Sequence, residues 1–278
     1  MSNRVILYYQ TFTGLQNFQQ WKKPPITHIH VSSIHFGYDS TNQPYIHLNN
    51  YPPSNSKFDT LWKEVEQLST EGGVKIVLMI GGAGGAFTKW LSNFEVFYDL
   101  LQTTLTQYPF IQGINLDVEE SIGLSSISTI LDRLIQDYPH FEFSMAPISG
   151  SLSSNYPGMG GFSYRDIESK YGEHIAYYNG QFYGDYTPES FKRVIDNGYH
   201  PSKIVFGLLS GDCCDFQELC KIVQTVRTNY PTMGGVSVWE FCDSPPRLTS
   251  YSEIWAYLMT CLLSPHIKIS VPSSCNLI

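Results

Sequence analysis

The chain has 278 residues, 17 Lys and Arg against 25 Asp and Glu, and a formal net charge of −8. No basic run exceeds the pair Lys22-Lys23, which argues against nucleic acid and anionic membrane as partners. The length matches one α/β barrel of about 250 residues, and the six cysteines form no C-x-x-C pair, which argues against a zinc ribbon.

The opening MSNRVILYYQTF has only a short apolar run, and no later segment approaches the length of a membrane span. Neither a signal peptide nor a transmembrane helix is expected, which leaves a cytosolic protein or one whose leader is missing from this sequence. Eight runs rich in β-branched and aromatic residues then follow, at 4–10, 26–37, 75–82, 110–120, 141–148, 174–184, 203–211 and 234–241. Between them lie SKFDTLWKEVEQLS, FTKWLSNFEVFYDLLQTTL, SSISTILDRLIQDY and FQELCKIVQTVRTNY, with YSEIWAYLMTCLL after the eighth run. These segments space their apolar residues with helical period. Strands alternating with helices imply βα units on a parallel sheet, and eight of them close a barrel. The expected fold is therefore α/β, a single (β/α)8 barrel over residues 1–278.

The fourth run contains GINLDVEES, residues 113–121. Successive strand side chains point to opposite faces. Ile114, Leu116 and Val118 thus make an apolar face, and Asn115, Asp117 and Glu119 a polar one. In an isolated strand the polar face would simply be a wet surface. In a barrel it lines the interior and climbs towards the C-terminal mouth, where barrel active sites sit. Carboxylates are costly to bury without a function. Two long connections, 38–56 with Tyr45 and Tyr51, and 148–162 with its Gly and Ser, are predicted to flank the same mouth.

These residues resemble glycoside hydrolase family 18, the chitinase family, whose fourth strand reads D-G-x-D-x-D-x-E. Here it reads Q-G-I-N-L-D-V-E, keeping Gly113, Asp117 and Glu119 but carrying Gln112 and Asn115 in place of two Asp. The resemblance extends over nearly the whole chain. Gly81-Gly82 close the third strand, with Met79 where Ser is usual, and Met145, Ala146 and Pro147 stand at the end of the fifth. Gln181 and Tyr183 in Q-F-Y end the sixth, as in plant-type members, and Trp239 ends the eighth. Only residues 212–233 separate the last two strands, so the α+β subdomain that many members insert there is not expected.

The resemblance implies a retaining endo-glycosidase that cuts β-1,4 bonds between N-acetylglucosamine units of chitin or chitooligosaccharides by substrate-assisted catalysis. Glu119 is the expected proton donor. Asp117 should orient the acetamido N–H and balance the positive charge, Tyr183 should bind the acetamido oxygen, and Trp239 should floor the sugar. Asn115 is expected to donate its amide to Asp117 and hold it ionised. Gln181, Asn179, Tyr8, Phe36, Gly81, Gly82 and Met145 are the expected substrate-binding set. Non-proline cis peptides are expected at His35-Phe36 and Trp239-Glu240. No metal or cofactor is called for, and the protein is expected to act as a monomer. Two other functions stay open: an endo-β-N-acetylglucosaminidase acting on N-glycan cores, and a non-catalytic sugar-binding or inhibitor protein of the same fold.

Competing signals are weaker. His28 and His30 share a strand face, but low in the second strand and without matching histidines at the mouth, so they read as structural. GGAGGAF fails the dinucleotide pattern, because Phe87 stands at the last Gly. Cys213-Cys214 reads as a pair of partly buried thiols at a helix start.

Overall fold

The structure, a computed structural model, describes residues 3–211, 215–245 and 253–264. Nine strands form one sheet: β1 (Arg4–Tyr9), β2 (His28–Tyr38), β3 (Pro44–Leu48), β4 (Lys75–Gly81), β5 (Ile111–Asp117), β6 (Glu142–Met145), β7 (Ile175–Gln181), β8 (Ile204–Leu209) and β9 (Gly235–Trp239). Eight are parallel, and β1 pairs with both β2 and β9, so the sheet closes into a barrel. The helices are α1 (Gln16–Gln19), α2 (Asp59–Thr70), α3 (Ala86–Ser92), α4 (Phe94–Gln107), α5 (Gly123–Asp137), α6 (Ser149–Ser153), α7 (Tyr164–Tyr171), α8 (Pro188–Asp196), α9 (Phe216–Asn229) and α10 (Glu253–Leu263). No inserted subdomain interrupts the barrel, since α9 fills most of the connection from β8 to β9. Among the described residues no helix is long and apolar enough to cross a membrane.

Alternation decides what each strand residue meets. Ile114, Leu116 and Val118 are buried in the layer between barrel and helices, while Asn115 and Asp117 point inwards with exposures of 0% and 6%. Low in the barrel, Ile6, Tyr177 and Val205 pack in a small interior cluster, and the Arg4 guanidinium lies over the Tyr177 ring. Beside them His28 Nε2 bonds Glu142 at 2.7 Å, and Lys75 Nζ bonds the other oxygen of that carboxylate at 2.5 Å. His30 Nε2 meets the Tyr177 hydroxyl. Burial lowers the pKa of both histidines. Their partners are the groups that plug the barrel floor, as the structural reading expects.

Two expectations change here. The 38–56 connection is not an irregular loop: β2 runs past the barrel rim, and β3 folds back antiparallel on its end, pairing Phe36 with Ile46 and Tyr38 with Pro44. The segment expected as one helix over 87–105 divides into α3 and α4, because the backbone of Asn93 leaves the helical region at φ −153°, ψ 64°. Asn competes locally for backbone hydrogen bonds and favours such a break. Cys213 and Cys214 lie outside the described residues.

Candidate active site

The barrel mouth holds a cavity of about 960 Å³. Its bottom and sides come from strand ends, so each side chain is placed by rigid backbone. Asp117 is the last residue of β5 and Glu119 follows two positions later on the same face. The Gly81-Gly82 pair lets the neighbouring strand approach closely: Gly82 N donates to the Asp117 carbonyl at 2.9 Å. A Cβ on Gly81 would stand 2.2 Å from that same oxygen, and both glycines have positive φ. A side chain is excluded there by space and by backbone conformation.

Of the expected residues, Asp117, Glu119, Gln181, Asn179, Tyr183, Trp239, Tyr8, Gly81 and Gly82 all border this cavity. Tyr8 meets the Trp239 ring at 5.4 Å between centroids and donates its hydroxyl to Asn115 Oδ1 at 3.1 Å. Trp239-Glu240 is a cis peptide as expected. The second non-proline cis bond is Ser32-Ser33 and not His35-Phe36, at the place where β2 shifts register against β4.

Three placements differ from expectation. Met145 is fully buried in the helix-side core; period-two alternation turns Ser144 inwards instead, and Ala146 borders the cavity. Phe36 touches the cavity but sets its ring against Trp90 and Phe97. Asn115 does not reach Asp117: its Nδ2 donates to Ser144 Oγ at 2.9 Å and its Oδ1 accepts from Tyr8, one layer beneath the cavity.

Asp117 therefore has a different donor. Gln181 Nε2 donates to Asp117 Oδ1 at 3.1 Å and to the Ala146 carbonyl at 2.8 Å. Burial, and next the adjacent Glu119 carboxyl, hold Asp117 well above the usual carboxylate range, with Gln181 acting in the opposite sense. This corrects the expectation of an ionised Asp117 in the free protein. Burial likewise raises Glu119, again opposed by Gln181. Two like charges on neighbouring same-face positions resist double ionisation, so the pair tends to keep a proton, as a proton donor must.

The sequence reading missed the wall opposite. His35 from β2, His47 from β3, and Asn49 and Asn50 beyond it all border the cavity. Tyr45, His47 and His35 stack in series, with centroid spacings of 5.1 and 5.6 Å. The alternation in PYIHL was the available signal; what hid it was that β3 pairs only with the overhanging end of β2. Among the described residues no cluster of three or more His, Cys, Asp or Glu could hold a metal ion.

No protein-family model matches the chain, and no curated protein does at the level of sequence. Solved structures do. A fungal endo-β-N-acetylglucosaminidase from glycosyl hydrolase family 18 superposes with a TM-score of 0.84 at 28% identity, covering 95% of this chain and 99% of its own. The chitinase ChiC from Aspergillus fumigatus gives a TM-score of 0.80 at 29% identity, covering 88% and 93%. The chain is a glycoside hydrolase family 18 barrel. A family 18 chitinase from Pseudoalteromonas aurantia, at 14% identity and a TM-score of 0.71 over 91% of this chain and all of its own, shares the fold. Within the family 18 frame, the β5 signature and the strand-end residues around it occupy one cavity.

Proposed function

We propose that this family 18 barrel is an endo-acting, retaining glycosidase that cuts the β-1,4 bond between two N-acetylglucosamine units, with chitin or chitooligosaccharide as substrate. The observation that carries this is the acid inventory of the cavity. Among the described residues its bordering carboxyls are Asp117 and Glu119, adjacent on one strand, with no third across the mouth to act as nucleophile. A retaining double displacement needs two carboxyls on opposite sides of the cleaved bond. Here the nucleophile has to come from the substrate.

Glu119, kept protonated by burial, gives its proton to the departing glycosidic oxygen as the bond from that oxygen to the anomeric carbon breaks. The acetamido carbonyl oxygen of the same sugar forms a new bond to that carbon, giving an oxazolinium ion. Asp117 accepts the acetamido N–H and, losing its own proton, balances the positive charge. Tyr183 holds the acetamido oxygen, and Trp239, backed by Tyr8, supports the sugar face. Water then opens the ring from the face it left, with Glu119 as base, and the β configuration returns.

The short β8–β9 connection leaves the mouth open on that side, which supports internal cleavage of a chain over release from its ends. Turnover of a fluorogenic chitooligosaccharide tests the reading, run beside a glycoprotein carrying an N-linked core, which contains the same bond. Release from the oligosaccharide is the expected result. Binding without turnover would replace the reading with a non-catalytic sugar-binding protein, and cleavage confined to the glycoprotein would replace chitin as the substrate.

A further inference from the structure

Gln181 makes more contacts with the acidic pair than a residue that only binds sugar requires. Its backbone is fixed from both sides at the end of β7: Gln181 N donates to the Pro147 carbonyl, and Phe182 N to the Gly207 carbonyl. The amide nitrogen has two hydrogens. One is committed to the Ala146 carbonyl at 2.8 Å, which orients the group. The other goes to Asp117 Oδ1 at 3.1 Å, and the Glu119 carboxyl lies within hydrogen-bonding reach of the same amide. A single orientable hydrogen thus faces two carboxyls. Position 115 cannot share the task, because both ends of its amide are held by Tyr8 and Ser144.

We propose that Gln181 is a positioning residue whose second amide hydrogen serves Asp117 in the free protein and passes to Glu119 during the reaction. The proposal rests on the glycosidase reading above. When the substrate arrives, its acetamido N–H takes over Asp117 Oδ1. The Gln181 hydrogen is released at the step where Glu119 gives up its proton to the leaving oxygen, and it meets the carboxylate that results. No bond other than hydrogen bonds changes at Gln181. It acts on the step in which Glu119 becomes charged, so its effect falls on kcat more than on KM.

The other titratable groups facing the pair are phenols: Tyr8 from β1, Tyr164 from α7 and Tyr183 beyond β7. Phenols ordinarily titrate near about 10, and among the described residues no Lys or Arg borders the cavity. The pH response of the site therefore belongs to the two carboxyls and to whatever donates to them.

The test is Gln181→Met, which keeps length and removes the donor, with Gln181→Glu as a second variant that adds a like charge. In Gln181→Met, kcat should fall roughly tenfold with KM changed less than about twofold, the size expected for one charge-assisted hydrogen bond made in the transition state. Losing a donor to the charged forms should raise both carboxyl pKa values, moving the whole kcat/KM bell to higher pH, and Gln181→Glu should move it further. A rate loss with an unmoved bell would leave Gln181 a merely structural residue and overturn the proposal. The titrations of Asp117 and Glu119 followed by carboxyl carbon NMR, without substrate, give a second readout. Both should shift upwards in Gln181→Met, and unchanged titrations would also overturn the proposal. If the wild type cuts no N-acetylglucosamine polymer while these titrations still shift, it is the glycosidase reading that fails, and with it the transfer to Glu119, whereas the tie to Asp117 stands.

Discussion

Replacing Asn115 by Asp restores the family pattern at that position, and the structure says what it should cost. Asn115 is fully buried, accepting from the Tyr8 hydroxyl and donating to Ser144 Oγ. An Asp there keeps the first bond, and the Ser144 hydroxyl can turn to donate, so the neutral acid loses little, about 0.5–1.5 kcal/mol for one rearranged hydrogen bond. The ionised acid is different. It would sit one layer below Asp117, whose carboxyl is already raised by burial and by Glu119, and the same causes should raise the new carboxyl by about 3 units above its unfolded value near 3.9. Between those two values the folded state binds more protons than the unfolded one, so stability falls as pH rises. At about 1.4 kcal/mol per unit, the variant should lose roughly 4 kcal/mol relative to wild type between pH 4 and pH 7. For a chain of this size that is about 8–16 °C in melting temperature. Unfolding of wild type and Asn115→Asp side by side at both pH values measures it. An equal gap at the two pH values, or a variant more stable than wild type at pH 7, would refute the argument that position 115 is dry and cut off from solvent.

Glu119→Gln should keep the fold and sugar binding while lowering turnover by about 10²- to 10⁴-fold, the usual contribution of a positioned acid; single-turnover kinetics beside a binding titration checks both halves. A fully deacetylated chitosan should not be cut, and the first product from chitin should be the β anomer, read by NMR of the new reducing ends before mutarotation; an α anomer would exclude the acetamido nucleophile. At the opposite end of the barrel, burial raises the pKa of Glu142, but the bonds from His28 and Lys75 outweigh it and hold the carboxyl far below its ordinary value. Its stabilisation should be present above the unfolded pKa and lost as pH falls. Glu142→Gln should therefore cost about 1–3 kcal/mol at pH 7 and much less at pH 3, a difference that urea unfolding at the two pH values reports.

The sequence alone determined which residues face inwards. Period-two alternation in GINLDVEES separates Ile114, Leu116 and Val118 from Asn115, Asp117 and Glu119 without any knowledge of neighbours, because it is a property of one strand. The count of eight βα units follows from local pattern in the same way, and so does the placing of Trp239, Tyr183 and Gln181 at strand ends. Applied to EFSM, the same alternation turns Met145 outwards; the resemblance to the family's A-P ending drew attention one residue too early. Only the tertiary structure decided who bonds whom. Asn115 and Asp117 are two residues apart, yet the amide of Asn115 goes to Ser144 on β6 and meets Tyr8 from β1, and Asp117 draws its donor from β7. Such choices depend on barrel curvature and strand stagger, which bring side chains from separate strands to one height. The hairpin wall of His35 and His47 was hidden for the same reason. Whether PYIHL is a loop or a strand is settled by an overhang of β2 that offers it unpaired backbone, and no local pattern records that overhang.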